Sequence, residues 1–178
     1  MKTLKTTLRA WPMIFLIAVT LSYLTQLVAK LFGVELPDQA QVELVRQHAG
    51  WNLQFAALVL QIVILIPVCE EFLFRCLLWR LPLGLSRQWR KGRTKASIVL
   101  AVLGAALFSF AHYVDFAALA KEGAFALTGW NSAFLALFFF ALAQCWLYRK
   151  TNWLWSPMLN HSLFNLTNLV LLFILPEA

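Results

Sequence analysis

Charged residues are scarce in this chain. Asp, Glu, Lys and Arg make up only 13% of its 178 residues, and just 8 of them are acidic. Soluble domains carry roughly 25% charge, so a water-soluble globule of this size could not be covered by the polar residues present. Disorder is excluded as well, because disordered segments are poor in aromatics and rich in charge, whereas 15% of this chain is aromatic. Cysteine is nearly missing. Cys69, Cys76 and Cys145 are odd in number and lie in or near apolar runs, which excludes a disulfide framework. A Gly-x-Ser-x-Gly elbow, a Walker-type loop and a His-Glu-x-x-His helix are also absent.

What is present is apolar: 61% of residues are hydrophobic and the mean hydropathy is +0.72. A helix needs about 20 mostly apolar residues to cross a bilayer. Five segments qualify, at about 11–32, 51–81, 96–112, 131–148 and 153–175. The period is helical or uniformly apolar, without strand-like alternation or internal repeats. The expectation is a single all-α domain over residues 1–178. It is a polytopic membrane protein of about five to six transmembrane helices with short loops.

The net charge of +7 would suggest nucleic acid in a soluble protein, but here it sorts by position. Lys2, Lys5, Arg9, Arg80, Arg87, Arg90, Lys91, Arg93, Lys95, Arg149 and Lys150 fall on one side if the spans alternate. Lys30, Arg46 and Lys121 fall on the other, with Glu35, Asp38, Glu43, Asp115, Glu122 and Glu177. The positive-inside rule then places the N-terminus in the cytoplasm and the C-terminus outside. The basic run at 87–95 reads as an inner-leaflet contact rather than a nucleic-acid site. The first segment, whose apolar run exceeds a signal h-region, reads as a retained span. Trp11, Trp51, Trp79, Trp130, Trp153 and Trp155 sit near predicted span ends, as an aromatic belt would.

Glu70, Glu71 and Arg75 lie inside the second segment, where an ionised side chain costs about 2.5–3.5 kcal/mol on insertion scales. Glu71 and Arg75 share a helix face and can pair, while Glu70 points about 100° away and is free for another partner. Pro67, just before them, removes a backbone donor and is expected to kink the helix. A blander reading places the Glu71–Arg75 pair at the membrane edge, meeting water. Cys69 adjoins the acids, but a thiol in apolar surroundings is normally inert.

The third segment carries Phe108 and His112; the fifth carries His161, Asn165 and Asn168 on nearly one stripe. Ionisable groups at membrane depth face the bundle interior, so these residues should converge. Counting 1.5 Å per residue from the basic span ends puts Glu70 about 15 Å deep, His161 about 12 Å and His112 about 24 Å. A carboxylate paired with a neutral imidazole can deprotonate water, and a second imidazole with an amide can stabilise an oxyanion. A metal held by Glu70, His112 and His161 stays open on these residue types.

Glu-Glu-x-x-x-Arg at 70–75, Phe-x-x-x-His at 108–112 and His-x-x-x-Asn at 161–165, in that order within apolar helices, resemble the three motifs of the CPBP family. This family comprises CAAX prenyl endopeptidases and bacteriocin-processing and immunity-type proteins. The resemblance covers about residues 60–169. It implies a glutamic intramembrane endopeptidase in which Glu70 and His112 activate water. His161 and Asn165 form the oxyanion site, and Glu71, Arg75 and Phe108 support them. Cys76 stands where many relatives have glycine, and better-known members have more spans. No cofactor is implied. The expected partners are the bilayer and a membrane-anchored protein or peptide substrate, with no nucleic acid, in a bacterial or archaeal plasma membrane. Two other classes fit the same residues: a non-catalytic membrane partner or immunity-type protein, and a proton-coupled carrier. Five short spans without an inverted repeat disfavour the carrier.

Overall fold

A computed structural model describes residues 2–37, 40–50, 52–85, 94–115, 118, 120, 121, 123, 125–127 and 129–174. Trp51, Asp38, Glu122, Glu177 and the bases at 87–93 lie outside the described residues. Helix α1 spans Lys2–Leu31, α2 Ala40–His48, α3 Leu53–Gly84, α4 Lys95–Ala111, α5 Ala133–Thr151 and α6 Trp155–Ile174. Four of them (α1, α3, α5 and α6) are long and apolar enough to cross a membrane, and α4 is a shorter apolar helix of 17 residues. Among the described residues the sole β feature is one bridge between Val114 and Leu127. The protein is therefore an all-helical integral membrane protein. The short helix α2, in the connection after α1, was not anticipated from the sequence.

Local chemistry sets the helix ends. Asn52 caps α3 by accepting from the Phe55 amide, and Thr94 caps α4 by accepting from the Ser97 amide. Asn152 ends α5 in the left-handed region at φ 51°, so the chain reverses within three residues and enters α6. That turn fixes α6 as the antiparallel neighbour of α5.

Packing is inverted relative to a soluble protein. Leu16, Leu24, Ile64, Leu103, Leu107 and Val170 face outward, while Thr7, Glu71, Arg75, Ser109, Gln144, Ser156, Asn160 and His161 are buried. Lipid is as apolar as leucine, so it is close packing and interior polar contacts that hold such helices together. Thr7, Ala10, Ile14 and Ala18 form the buried stripe of α1, three of them small enough for close approach to α5 and α6. The core proper comprises Ala10, Ile14, Ala105, Phe108, Phe140, Ala141 and Leu147.

The end of α3, the start of α4 and the end of α5, each of which carries a base, are tied together by side chains. Trp79 donates its indole N–H to the Ser97 carbonyl at 3.0 Å, joining the end of α3 to the start of α4. Arg80 donates to the Tyr148 hydroxyl at 2.6 Å, joining it to the end of α5. Trp79 is thus buried in a satellite core with Leu83, Cys145 and Tyr148, and it takes no part in the lipid-facing belt expected for it. Trp130, Trp153 and Trp155 are exposed, as the belt requires.

Candidate active site

Helix α3 is not a uniform α-helix. It is interrupted by π-type turns at Gln61–Leu65 and Phe72–Arg80, a rare backbone form that is frequent at functional sites. Proline accounts for the outcome of the first. In the π pattern the Ile66 amide bonds the Gln61 carbonyl five residues back. The next bond would run from residue 67 to Ile62, but Pro67 has no N–H to give. The orphaned Ile62 carbonyl accepts instead from the Asn165 side-chain amide on α6, at 2.9 Å. The expected disturbance at Pro67 is thus a local π turn that exposes one carbonyl to α6.

Glu70 and Glu71 follow within one turn and point to different neighbours. Glu71 is fully buried and makes two contacts. Its Oε2 lies 3.0 Å from Arg75 Nε and its Oε1 lies 3.0 Å from His161 Nδ1. Arg75, 1% exposed, also donates from Nη2 to the Ala141 carbonyl on α5 at 3.2 Å. Its guanidinium carbon stands 4.9 Å from the centre of the Phe108 ring. The pair therefore does not meet water at a membrane edge. It is sealed in the core, where each charge is neutralised by the other and shared with α4, α5 and α6.

Glu70 takes the other side, as the 100° separation predicts. Its Oε1 is 3.9 Å from His112 Nε2 and its Oε2 is 3.7 Å from His161 Nε2. Both distances exceed a direct hydrogen bond. The Oε2 atom is buried, with no hydrogen-bond partner among the described residues. Glu70 and His112 keep 25% and 31% of their side-chain surface open, whereas Glu71, Arg75 and His161 keep 5% or less. The site thus has an accessible pair in front of a closed support.

The histidines are oriented from behind. His112 Nδ1 lies 2.8 Å from the Phe108 carbonyl. A carbonyl only accepts, so Nδ1 carries the proton and neutral His112 presents an unprotonated Nε2 to Glu70. His161 Nδ1 meets the Glu71 carboxylate, and its ring packs edge-on against Phe140 at 4.9 Å. Phe108 stands at the centre, with its ring centre 4.8 Å from that of His112 and 6.0 Å from that of His161.

Six of the seven site residues expected from the sequence converge: Glu70, Glu71, Arg75, Phe108, His112 and His161. The apparent depth mismatch of His112 shrinks because α3 runs past Arg80 to Gly84. That extension moves Glu70 from about 15 to about 21 Å from its basic end at 1.5 Å per residue. Asn165 lies one turn beyond His161, and its amide nitrogen is engaged by Ile62. Cys69 is exposed on the outer face of α3. Asn168 bonds its own helix at Phe164. Among the described residues no three His, Cys, Asp or Glu side chains stand in an arrangement that could hold a metal ion.

Some neighbours were not foreseen. The Ile62 and Ala141 carbonyls carry no side-chain signal, and the bond from His161 to Glu71 crosses between distant segments. Gln144 did leave a trace, as a lone amide in an apolar run. It is wholly buried and donates to Asn160, the residue before His161, at 2.8 Å.

No curated protein and no solved structure matches the chain. One family model does, described as type II CAAX prenyl endopeptidase Rce1-like, and it matches residues 51–167. The match takes in α3 to α5 and the part of α6 bearing His161 and Asn165, and it leaves out α1. With well over half of its length matched, the chain belongs to this peptidase family of hydrolases.

Proposed function

We propose that the protein is a glutamic intramembrane endopeptidase that cleaves a membrane-anchored protein or peptide by direct attack of water. The observation that carries this reading is the facing of two acceptors, Glu70 Oε1 and His112 Nε2, 3.9 Å apart. A water between them donates one hydrogen to each, which fixes its lone pair toward a substrate carbonyl. Glu70 takes the proton as the water attacks, then passes it to the leaving amine.

His161 serves the oxyanion. Its Nδ1 is committed to Glu71, so Nε2 donates only when both ring nitrogens carry protons. One Asn165 amide hydrogen goes to Ile62, leaving the second for the same oxyanion. Glu71, Arg75 and Phe108 act as positioning residues. The positive-inside rule puts the basic helix ends, and the N-terminus, in the cytoplasm.

The test uses purified protein in liposomes with a farnesylated peptide ending in a CAAX box. It is paired with membrane peptidomics of cells with and without the chain. Glu70→Gln keeps size and removes the base, so cleavage should fall at least a thousandfold while thermal stability holds. A Glu70→Gln protein that retains its cellular effect without cleaving any peptide would instead identify a non-catalytic partner.

A further inference from the structure

Away from the active site, a cavity of about 250 Å³ opens between α1 and α5 at the basic end of the bundle. Thr6, Arg9, Ala10 and Met13 line it from α1, and Trp146 and Lys150 from α5. Arg9 and Lys150 are both exposed, and neither meets a carboxylate among the described residues. The acids among the described residues are Glu35, Glu43, Glu70, Glu71 and Asp115, none of which lines the cavity. Lys150 instead stands 4.6 Å from the Trp146 ring centre, a contact that leaves the ammonium hydrogens free to donate. Thr6 directs its hydroxyl hydrogen to the Lys2 carbonyl, so its oxygen keeps lone pairs for other donors.

The wall changes character along α1. Arg9 lies at the mouth and Ala10 is buried. Met13 follows one turn inward, and then Leu16 and Ile17 are exposed on the lipid-facing surface. Two cations above a continuous apolar track match a phosphate group attached to acyl chains. Basic pockets between helices at a membrane surface bind anionic headgroups.

We propose that this cavity is a binding site for the phosphate of an anionic phospholipid, seated between Arg9 and Lys150 with its acyl chains along Met13, Leu16 and Ile17. The bound lipid bridges α1, which lies outside the family match, to α5, which lies inside it.

The experiment is native mass spectrometry of the purified chain from nanodiscs of phosphatidylcholine and phosphatidylglycerol. Wild type should retain one phosphatidylglycerol per chain. Arg9→Gln with Lys150→Gln should weaken retention roughly 30-fold, at about 1 kcal/mol per base. Lys2→Gln with Lys5→Gln, which removes equal charge from exposed positions on α1, should leave it intact. Equal loss in both pairs, or loss in neither, overturns the site. Displacement of the lipid by millimolar inorganic phosphate identifies a free-phosphate site and overturns the lipid assignment. Should the Arg9/Lys150 variant fail to fold, wild type alone decides: occupancy that merely follows bulk lipid composition refutes the proposal. Peptidase activity enters none of these readouts, so failure here is separate from failure of the proposed function.

Discussion

Replacing Asn165 with leucine removes the donor that serves the Ile62 carbonyl, a group orphaned only because residue 67 is proline. Ile62 is 5% exposed, so neither water nor lipid can take the place of the amide. Interhelical hydrogen bonds in membranes average about 0.6 kcal/mol and reach about 1.7, while an unsatisfied buried acceptor costs about 1–3 kcal/mol. The expected loss for Asn165→Leu is therefore about 1–2 kcal/mol, a change of roughly 5- to 30-fold in the folded-to-unfolded ratio. Pro67→Ala supplies the missing N–H within α3. In that background the same Asn165→Leu change should cost almost nothing. The four proteins form a double-mutant cycle, read by reversible unfolding in mixed micelles, with an expected coupling of about 1–2 kcal/mol. Additive effects, with a coupling near zero, would sink the link between the proline and the amide. Activity separates the second role. If Asn165 also serves the oxyanion, Asn165→Leu stays inactive in both backgrounds although stability recovers in one.

Two other changes probe the scaffold. Arg75→Ala strands a buried carboxylate at Glu71 and should cost about 3–5 kcal/mol in the same unfolding assay. Arg75→Lys should recover only part of it, because an ammonium reproduces neither the planar stacking on Phe108 nor the fork reaching both Glu71 and Ala141; full recovery would refute that geometry. At the α5–α6 turn, Asn152→Ala should cost about 1 kcal/mol, since alanine tolerates the left-handed region poorly, while Asn152→Gly should match wild type or exceed it. Equal melting temperatures for the alanine and glycine forms would show that the turn carries no strain.

The parts of the fold that were legible in the sequence are those dictated by solvent. Runs of apolar residues long enough to span a bilayer admit little besides helices. The site was legible for a related reason: Glu70, Glu71, Arg75, His112 and His161 are costly in an apolar run, so each advertises a function or a partner. What escaped was carried by the backbone. The Ile62 and Ala141 carbonyls look like any others in sequence, and the π turn that frees Ile62 depends on a register no periodicity reveals. Trp79 was misplaced for a similar reason. A tryptophan near a span end is usually interfacial, but α3 runs on to Gly84 and turns this one inward to Ser97. Helix α2 is short and polar, which gives no membrane signal at all.

The division of labour between the two neighbouring glutamates also bears on how the chain enters the bilayer. Glu71 has its counter-ion on the same helix, four residues away, so the pair forms as soon as α3 is made and travels as a neutral unit. Glu70 has no such companion. The groups that face it, His112 and His161, arrive only with α4 and α6, the latter translated some 90 residues after it. Biogenesis must therefore hold the Glu70 carboxylate without its full set of partners until α6 is in place. A premature stop before α6 leaves that carboxylate exposed in an incomplete bundle, a ready mark for membrane quality control.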